Sequence, residues 1–348
     1  DVFYRIKALH ILGYNITLHC FEYGRGAQTE LEKYTDQVHY YKRDKKLRYG
    51  LSRMPFIVKS RNSERLITNL MLDKNPILFE GLHSTFFLGD ERLGERTTIV
   101  RAHNIEHDYY AGLAQKALGF KKFYYTHEAR KLKNYEIVLK HANHILAIQE
   151  RDLEYFRKLH PSVHLLPAAT PPLEEMVYCE TQAHTLFHGN LSVAENETAA
   201  LWIIDTLASS DPVPLIIAGK NPSNKLIARC AKKNVTLIPN PDDAEMSRLL
   251  INARVHVLYT DQSTGLKLKL LNALQTSGHV IANSEMFEGT KLGSFCTIPT
   301  SQKEYLKFTQ LKLAIPLSKD EFDARKKFLE ENYSTIKNCK LISNLLSD

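Results

Sequence analysis

The second half of this 348-residue chain alternates short apolar runs with helical patterns, and this alternation limits the folds it can adopt. Strand–helix–strand units at such spacing are typical of a parallel sheet. The strands are continuously apolar, which indicates that helices cover both faces of the sheet. The predicted strands are residues 185–188, 214–218, 235–238, 255–259, 279–282 and 295–298, and the predicted helices are residues 194–208, 223–233, 243–252, 265–276 and 302–313.

The first half alternates less regularly but contains the same kinds of segment. An open parallel sheet normally begins with a strand, whereas this chain begins with a helical pattern that Gly13 closes. We therefore expect the first domain to lack its first strand. The predicted strands are residues 15–21, 37–40, 76–80, 97–102 and 144–148, and the predicted helices are residues 2–12, 30–34 and 121–142.

A proline cluster near residue 170 divides the two halves. Pro167, Pro171 and Pro172 lie in a stretch of small residues, which is typical of a linker. The division predicts one domain over residues 1–167 and a second over residues 168–332.

Composition excludes several classes of protein. Hydrophobic residues make up 43% and charged residues 24% of the chain, as in an ordinary globular protein. The five cysteines form no CxxC pair, so a disulfide framework and a zinc ribbon are both disfavoured, and a reducing, cytoplasmic location is expected. The sequence has no Walker lysine motif, no GxSxG elbow and no complete GxGxxG fingerprint.

Positive charge is concentrated in the first half. Residues 1–165 carry 27 basic and 19 acidic residues, a net charge of +8, whereas residues 166–348 carry 19 and 20, a net charge of −1. This asymmetry is compatible with an ordinary solvated surface or with an anionic partner: a membrane surface, a lipid phosphate or a nucleic acid. Nucleic acid is disfavoured, because the basic and aromatic residues form no stacking platform.

Glycines and lysines follow three predicted strands of the second half. Ligands of open α/β sheets bind at the carboxyl ends of the strands. Gly189 and Asn190 follow one strand, Gly219 and Lys220 follow the next, and residues 265–269 (Gly-Leu-Lys-Leu-Lys) follow a third. Gly265 at a helix start beside Lys267 suits a phosphate, with a plain helix start as the alternative. Lys269 should point about 200° away from Lys267 on that helix.

His103 and Glu80 end two predicted strands of the first half. A histidine there can bond a sugar hydroxyl or a phosphate oxygen, with a packing role as the alternative. His103, Glu106 and His107 do not form a metal motif, since Asn104 is expected to cap the helix and leaves His103 outside it. No metal is therefore expected.

These motifs together resemble a GT-B glycosyltransferase of the family-4-like (group 1) kind found in bacterial polysaccharide clusters. The resemblance rests on residues 187–191, 215–219, 234–259, 265–274 and 278–282, and on residues 101–106 in the first domain. It implies an α/β fold of two Rossmann-like, doubly wound parallel-sheet domains that face a cleft. It also implies that the final helix, within residues 333–348, completes the first domain.

The resemblance implies a function as well. The second domain would hold a UDP- or GDP-linked sugar, and the first, basic domain would present a glycan or lipid-linked acceptor, which places the protein in the cytoplasm, peripherally at the inner face of an anionic membrane. Such enzymes retain anomeric configuration and need no metal or other cofactor. His103 would touch the donor sugar. The implied donor-binding residues are Gly189, Asn190, Lys220, Thr264, Gly265, Leu266, Lys267 and Asn272, with Glu80, Glu106 and Lys269 as further candidates.

The chain departs from the family pattern at four positions. The family has glutamates where this chain has Thr264 and Asn272, and basic residues where it has Asn190 and Glu195. An asparagine bonds a ribose hydroxyl without a carboxylate's paired acceptors. The first hypothesis is therefore a hexosyltransferase, and the alternatives are a catalytically impaired nucleotide- or glycan-binding protein and a nucleotide-sugar epimerase.

Overall fold

A computed structural model describes residues 1–22, 26–46, 49–50, 52–208, 212–262 and 265–347 of the chain. The chain folds into two units. Unit 1 comprises Asp1–Ala169 together with Thr335–Asp348, and unit 2 comprises Thr170–Ser334.

The described part of unit 1 contains six parallel strands in two sheets. The first two strands pair with each other, and the other four form a sheet in the order β3-β4-β5-β6. The strands are β1 (Thr17–Phe21), β2 (Gln37–Tyr41), β3 (Ile77–Glu80), β4 (Thr98–Ala102), β5 (His144–Ala147) and β6 (Val163–Leu165).

The helices between these strands cover the larger sheet. The long helix predicted for residues 121–142 is interrupted, because an α-helix ends at Tyr135 and a 3₁₀ segment, Glu136–His141, follows it. The helices are α1 (Val2–Ile11), α2 (Thr29–Glu32), α3 (Phe56–Lys59), α4 (Glu64–Leu70), α5 (Glu106–Lys116), α6 (Gly119–Tyr135) and α7 (Glu150–Arg157).

Unit 2 contains one five-stranded parallel sheet in the order β11-β10-β7-β8-β9. Five of its six predicted strands are confirmed. The exception is residues 295–298, where only Thr297 forms a single bridge, to Ile281, after a 3₁₀ segment. The strands are β7 (Gln182–Asn190), β8 (Leu215–Lys220), β9 (Thr236–Pro239), β10 (Ala253–Leu258) and β11 (His279–Ala282).

The helices of unit 2 lie on both faces of its sheet, as the continuous apolar strands predicted. Asp242 caps one of them by accepting a hydrogen bond from the Glu245 amide at 2.7 Å, as expected of an acidic pair at a helix start. The helices are α8 (Ala194–Leu207), α9 (Asn224–Lys232), α10 (Asp243–Asn252), α11 (Leu268–Leu274), α12 (Gln302–Ala314) and α13 (Lys319–Asn332).

The last helix, α14 (Thr335–Ser347), returns to unit 1 and packs against α1. Its Ile342 and Leu345 are buried against Ile99 and Leu146, which lie on one face of the sheet. Neighbouring residues of the same strands, among them Val100 and Ile145, face the opposite core. The sheet of unit 1 is thus covered on both sides.

The described residues include no helix that is both long enough and apolar enough to cross a bilayer.

Candidate functional site

The carboxyl ends of β7 and β8 bring four predicted residues together. Gly189 lies opposite Gly219, and Asn190 lies opposite Lys220, in the parallel register of these strands. A Cβ atom on Gly219 would lie 1.8 Å from the carbonyl oxygen of Gly189, so only glycine fits there. Gly189 is less constrained, because a Cβ there would meet the Asn196 side chain at 3.3 Å. The ends of β7 and β8 therefore approach each other closely at Gly219, while Asn190 and Lys220 carry exposed side chains beside it.

Glu195 forms an ion pair with Lys267 at this edge. Its carboxylate accepts a hydrogen bond from the Lys267 ammonium at 3.1 Å and another from the hydroxyl of Thr260. Burial raises the pKa of Glu195, but the Lys267 charge and the two hydrogen bonds outweigh burial, so that its pKa lies below the usual range. Glu195 is thus ionised, and it offsets part of the positive charge that Lys267 brings.

Lys269 lies beside the first turn of α8, where Asn196 is located. Its ammonium donates to the side-chain oxygen of Asn196 at 2.9 Å and lies 5.5 Å from the centre of the Phe187 ring. Burial lowers the pKa of Lys269 to about 8, and the neighbouring Lys267 charge adds to that effect, against the pull of Glu195. Both lysines therefore contact the first turn of α8.

The helix expected to begin at Gly265 begins at Leu268 instead, with Lys267 as its N-cap residue. Gly265 has a φ of +72°, which a glycine adopts readily and which is incompatible with an α-helix. The expected angle of about 200° between the two lysines is therefore wrong, since Lys267 lies outside the helix. Leu266 is half-buried in the same loop, Asn272 is half-buried within α11, and Thr264 lies outside the described residues.

In unit 1, Glu80 and His103 form a hydrogen-bonded pair at the carboxyl ends of β3 and β4. The Nε2 atom of His103 lies 2.8 Å from one carboxylate oxygen of Glu80, and the Nε of Arg5 donates to the other at 2.7 Å. Burial alone would raise the pKa of Glu80, but Arg5, His103 and Arg101 together hold it far below its usual range. Glu80 is an ionised acceptor that fixes the orientation of the His103 ring.

Two further titratable groups surround His103. The ring of His83 meets it edge-on at 6.1 Å, and burial, followed by the charge of Arg61, lowers the pKa of His83 to about 3. Glu106 is buried, and burial raises its pKa to about 7 against the opposing charges of His103 and Arg61. Perturbed pKa values of this kind concentrate at functional sites.

The two histidines of the possible metal motif, His103 and His107, bond different carboxylates and do not come together. His103 bonds Glu80, whereas the Nδ1 of His107 lies 2.8 Å from Glu136. The predicted cap is wrong, because Ile105 rather than Asn104 occupies the N-cap position of α5. Within the described ranges, no three His, Cys, Asp or Glu side chains form a group that could hold a metal ion.

Sequence reasoning missed the residues that hold these groups in place. In unit 2, Asn196 accepts a hydrogen bond from Lys269 and Thr260 donates one to Glu195. In unit 1, Asp1 accepts hydrogen bonds from both Arg5 and Arg101. The signal for Asn196 was present, since it lies in the first turn of the helix that follows β7. The contact between Asp1 and Arg101 had no signal, because the two residues are 100 positions apart in the sequence.

Comparison with known sequences gives one distant relative. The chain is 25% identical, over 314 aligned residues, to an "uncharacterized 44.6 kDa protein in cps region" of Klebsiella pneumoniae. The alignment covers 83% of this chain and 79% of that protein. No protein-family model matches the chain.

Solved structures are similar over most of the chain. HepE of Anabaena, crystallised with UDP and glucose, superposes with a TM-score of 0.68 at 11% identity, covering 99% of this chain and 95% of HepE. TarM matches with a TM-score of 0.59 at 13% identity, over 84% of this chain and 58% of TarM. A UDP-forming α,α-trehalose-phosphate synthase of Burkholderia xenovorans, in complex with glucose-6-phosphate, matches with a TM-score of 0.56 at 11% identity, over 81% and 76%. The chain has the GT-B fold of these proteins, as its sequence motifs predicted.

Proposed function

We propose that this chain is a glycosyltransferase that moves a hexose from a UDP-sugar to a glycan or lipid-linked acceptor. The observation that carries the proposal is the pair of lysines, Lys267 and Lys269, at the strand ends of unit 2. Structural neighbours support the choice of nucleotide, because HepE was crystallised with UDP and the trehalose-phosphate synthase is UDP-forming. The cps region of the distant relative supports a role in polysaccharide biosynthesis.

The lysines suit the departing diphosphate. When the bond between the sugar carbon and the diphosphate oxygen breaks, negative charge grows on that oxygen, and a nearby ammonium stabilises the transition state more than the ground state. In this proposal the nucleotide is surrounded by Gly189, Asn190, Lys220 and the loop that contains Gly265 and Leu266. Asn272 contacts its ribose. In this proposal the sugar keeps its anomeric configuration, and no metal takes part.

The Glu80–His103 pair is the proposed contribution of unit 1. With Glu80 accepting from Nε2 at 2.8 Å, the Nδ1 atom of a neutral His103 ring is an acceptor for a sugar hydroxyl. We propose that His103 contacts the transferred sugar and that Glu80 positions it. Glu106 is a further candidate here, since its pKa of about 7 suits a group that exchanges protons near neutral pH.

Calorimetric titration of nucleotides tests the donor site. We expect UDP to bind more tightly than GDP, and Lys269→Ala to weaken UDP binding by about 1–3 kcal/mol, the range for a hydrogen bond to a charged group. Lys225→Ala is the matched control, because Lys225 is an exposed lysine of the same unit. Failure of UDP to bind at millimolar concentration would contradict the proposal.

The same titration has an expected pH dependence. Lys269 holds its proton below its pKa of about 8, so UDP affinity should fall about tenfold by about pH 9 as the charge is lost. The Lys269→Arg variant keeps its charge and should lose far less affinity, while the ionisation of UDP itself is common to both proteins. Equal losses would remove Lys269 from the site.

A nucleotide-binding protein without transferase activity is the second candidate. It is favoured by the Glu195–Lys267 ion pair, which offsets one of the two lysine charges, and by Asn272 at the family's glutamate position. Incubation with UDP-glucose and a panel of acceptors separates the two candidates. Tight UDP binding without release of UDP from the sugar nucleotide would favour the binding protein.

A further inference from the structure

The amino-terminal half of α6 exposes large apolar side chains. Leu118, which caps the helix, is 87% exposed, and Phe120 and Phe123 are 81% and 68% exposed. The Phe123 ring is parallel to the ring of His127, with centroids 6.2 Å apart, so the aromatic surface extends one turn further. Such a cluster of exposed apolar side chains on one short segment is typical of an interaction surface.

The other half of α6 anchors the helix to unit 1. The buried residues of α6 are Glu128, Lys131 and Leu132, all in its carboxyl-terminal half. The Lys131 ammonium donates to Glu128 at 2.9 Å and to the carbonyl of Gly50 at 2.7 Å. Residues 119–127 contain no fully buried side chain, although Tyr125 contacts Tyr110 of α5. The first half of α6 therefore packs on α5 through one face and exposes the other.

The exposed charges around the apolar cluster are positive. Lys116, Lys121 and Lys122 are all exposed beside Leu118, Phe120 and Phe123. Between residues 116 and 133 the sequence has one acidic residue, Glu128, and its carboxylate is buried against Lys131. A surface with apolar and aromatic groups at its centre and lysines beside them is complementary to a bilayer that contains anionic lipids.

We propose that unit 1 docks on an anionic membrane by inserting the apolar wedge, defined as Leu118, Phe120 and Phe123, while Lys116, Lys121 and Lys122 contact lipid headgroups. The wedge enters the headgroup region and the boundary with the acyl chains, and the lysine stems lie along it with their charges in water. Lys131 does not contact lipid in this proposal, because its ammonium is buried and bonded to Glu128 and to the carbonyl of Gly50. This docking is independent of the proposed sugar transfer.

Sedimentation with vesicles tests the proposal. The full-length protein should sediment with vesicles of equal parts phosphatidylcholine and phosphatidylglycerol, and much less with phosphatidylcholine alone. Phe120→Ser/Phe123→Ser and Lys121→Gln/Lys122→Gln should each lower the partition coefficient at least about tenfold, because two lysines contribute about 1 kcal/mol each. Raising NaCl to about 0.5 M should weaken the wild type by screening.

Matched surface variants serve as controls. Leu72→Ser removes an apolar side chain that is 78% exposed elsewhere in unit 1, and Lys74→Gln/Lys158→Gln removes two exposed lysines outside α6. Both should bind vesicles like the wild type. A loss equal to that of the α6 variants would show nonspecific attraction and overturn the proposal.

Fluorescence distinguishes insertion from surface contact. The chain has one tryptophan, Trp202, which stacks on Tyr259 within unit 2, so it provides a constant background. A Phe120→Trp reporter should shift to shorter wavelength with anionic vesicles and be quenched by brominated acyl chains, whereas Leu72→Trp should not. Unchanged Phe120→Trp emission, or a concentration-dependent dimer that Phe120→Ser/Phe123→Ser abolishes in the absence of lipid, would overturn insertion.

Discussion

Glu195 reduces the net positive charge at the carboxyl ends of the unit 2 strands, where UDP is proposed to bind. It is ionised and lies 3.1 Å from the Lys267 ammonium. Replacing it by a neutral side chain of the same shape leaves Lys267 without this counter-charge. We therefore expect Glu195→Gln to bind UDP more tightly than the wild type, and Lys267→Ala to bind it more weakly, each by about 1 kcal/mol. Calorimetric titration at low ionic strength measures both.

The double variant Glu195→Gln/Lys267→Ala provides the control for this prediction. If Glu195 acts only through Lys267, the double variant should bind UDP like Lys267→Ala alone. Tighter binding by the double variant would mean that the carboxylate repels the diphosphate directly. Weaker binding by Glu195→Gln alone would contradict the prediction, and would indicate that Glu195 organises the loop through Thr260.

Glu106 makes the stability of unit 1 depend on pH. Its pKa is raised by burial from 4.5 to about 7, so its contribution is fully present below about pH 4.5 and is lost as the pH rises through 7. Glu106→Gln cannot ionise. At about pH 8 the variant should therefore gain up to roughly 3 kcal/mol over the wild type, at 1.36 kcal/mol for each pKa unit.

Urea unfolding at about pH 4 and pH 8 measures this difference. The two proteins should be nearly equally stable at the lower pH, where the glutamate is protonated in the folded protein. An equal difference at both values would show that Glu106 is not the titrating group. Glu91→Gln is a control, since Glu91 is an exposed carboxylate of the same unit.

The sequence was sufficient to predict which residues lie at the strand ends, but not which partners their side chains contact. His103 and Glu80 were predicted from their places at the ends of strands, and the structure pairs them. The ion pair between Glu195 and Lys267 could not be predicted, because it joins the first turn of α8 to the N-cap residue of α11, 72 residues further along the chain. A sequence pattern places a residue at a strand end, whereas loop conformation decides which neighbour its side chain meets.

Among the secondary-structure elements, β7 and β8 depend on a glycine at their carboxyl ends. A Cβ at position 219 would clash with the backbone of Gly189 at 1.8 Å, whereas a Cβ at position 189 would meet only a side-chain amide at 3.3 Å. Gly219→Ala should therefore destabilise unit 2 by about 1–3 kcal/mol or more, and Gly189→Ala by clearly less. Thermal unfolding of the two variants compares them, and equal melting temperatures would contradict the prediction.

Element boundaries were predictable where a single local signal dominated. The helix over residues 243–252 was predicted with its observed bounds, because an acidic pair marks its start. The helix predicted from Gly265 begins three residues later, since the positive φ of that glycine interrupts it. Residues 295–298 have strand-like composition, yet they form one bridge, because apolar composition alone does not specify pairing with β11.

At the scale of the whole molecule, α14 connects the end of the chain to unit 1. Ile342 and Leu345 cover the sheet residues Ile99 and Leu146. Deleting residues 335–348 should expose this apolar face and increase amide hydrogen exchange in β4 and β5, with little change in β7 and β10. Exchange measured by mass spectrometry tests this, and protection of β4 equal to that of the full chain would contradict it.

The crossing of the chain between units has a consequence for biosynthesis. The polypeptide of unit 1 is interrupted after Ala169 and resumes at Thr335, so about 165 residues are translated before its last helix leaves the ribosome. At 5–20 residues per second this interval lasts roughly 10–30 s. Throughout it, the apolar surface that α14 covers is open on the nascent chain. Cotranslational chaperones thus have a defined window in which to bind there, and it closes only when α14 has emerged from the ribosome.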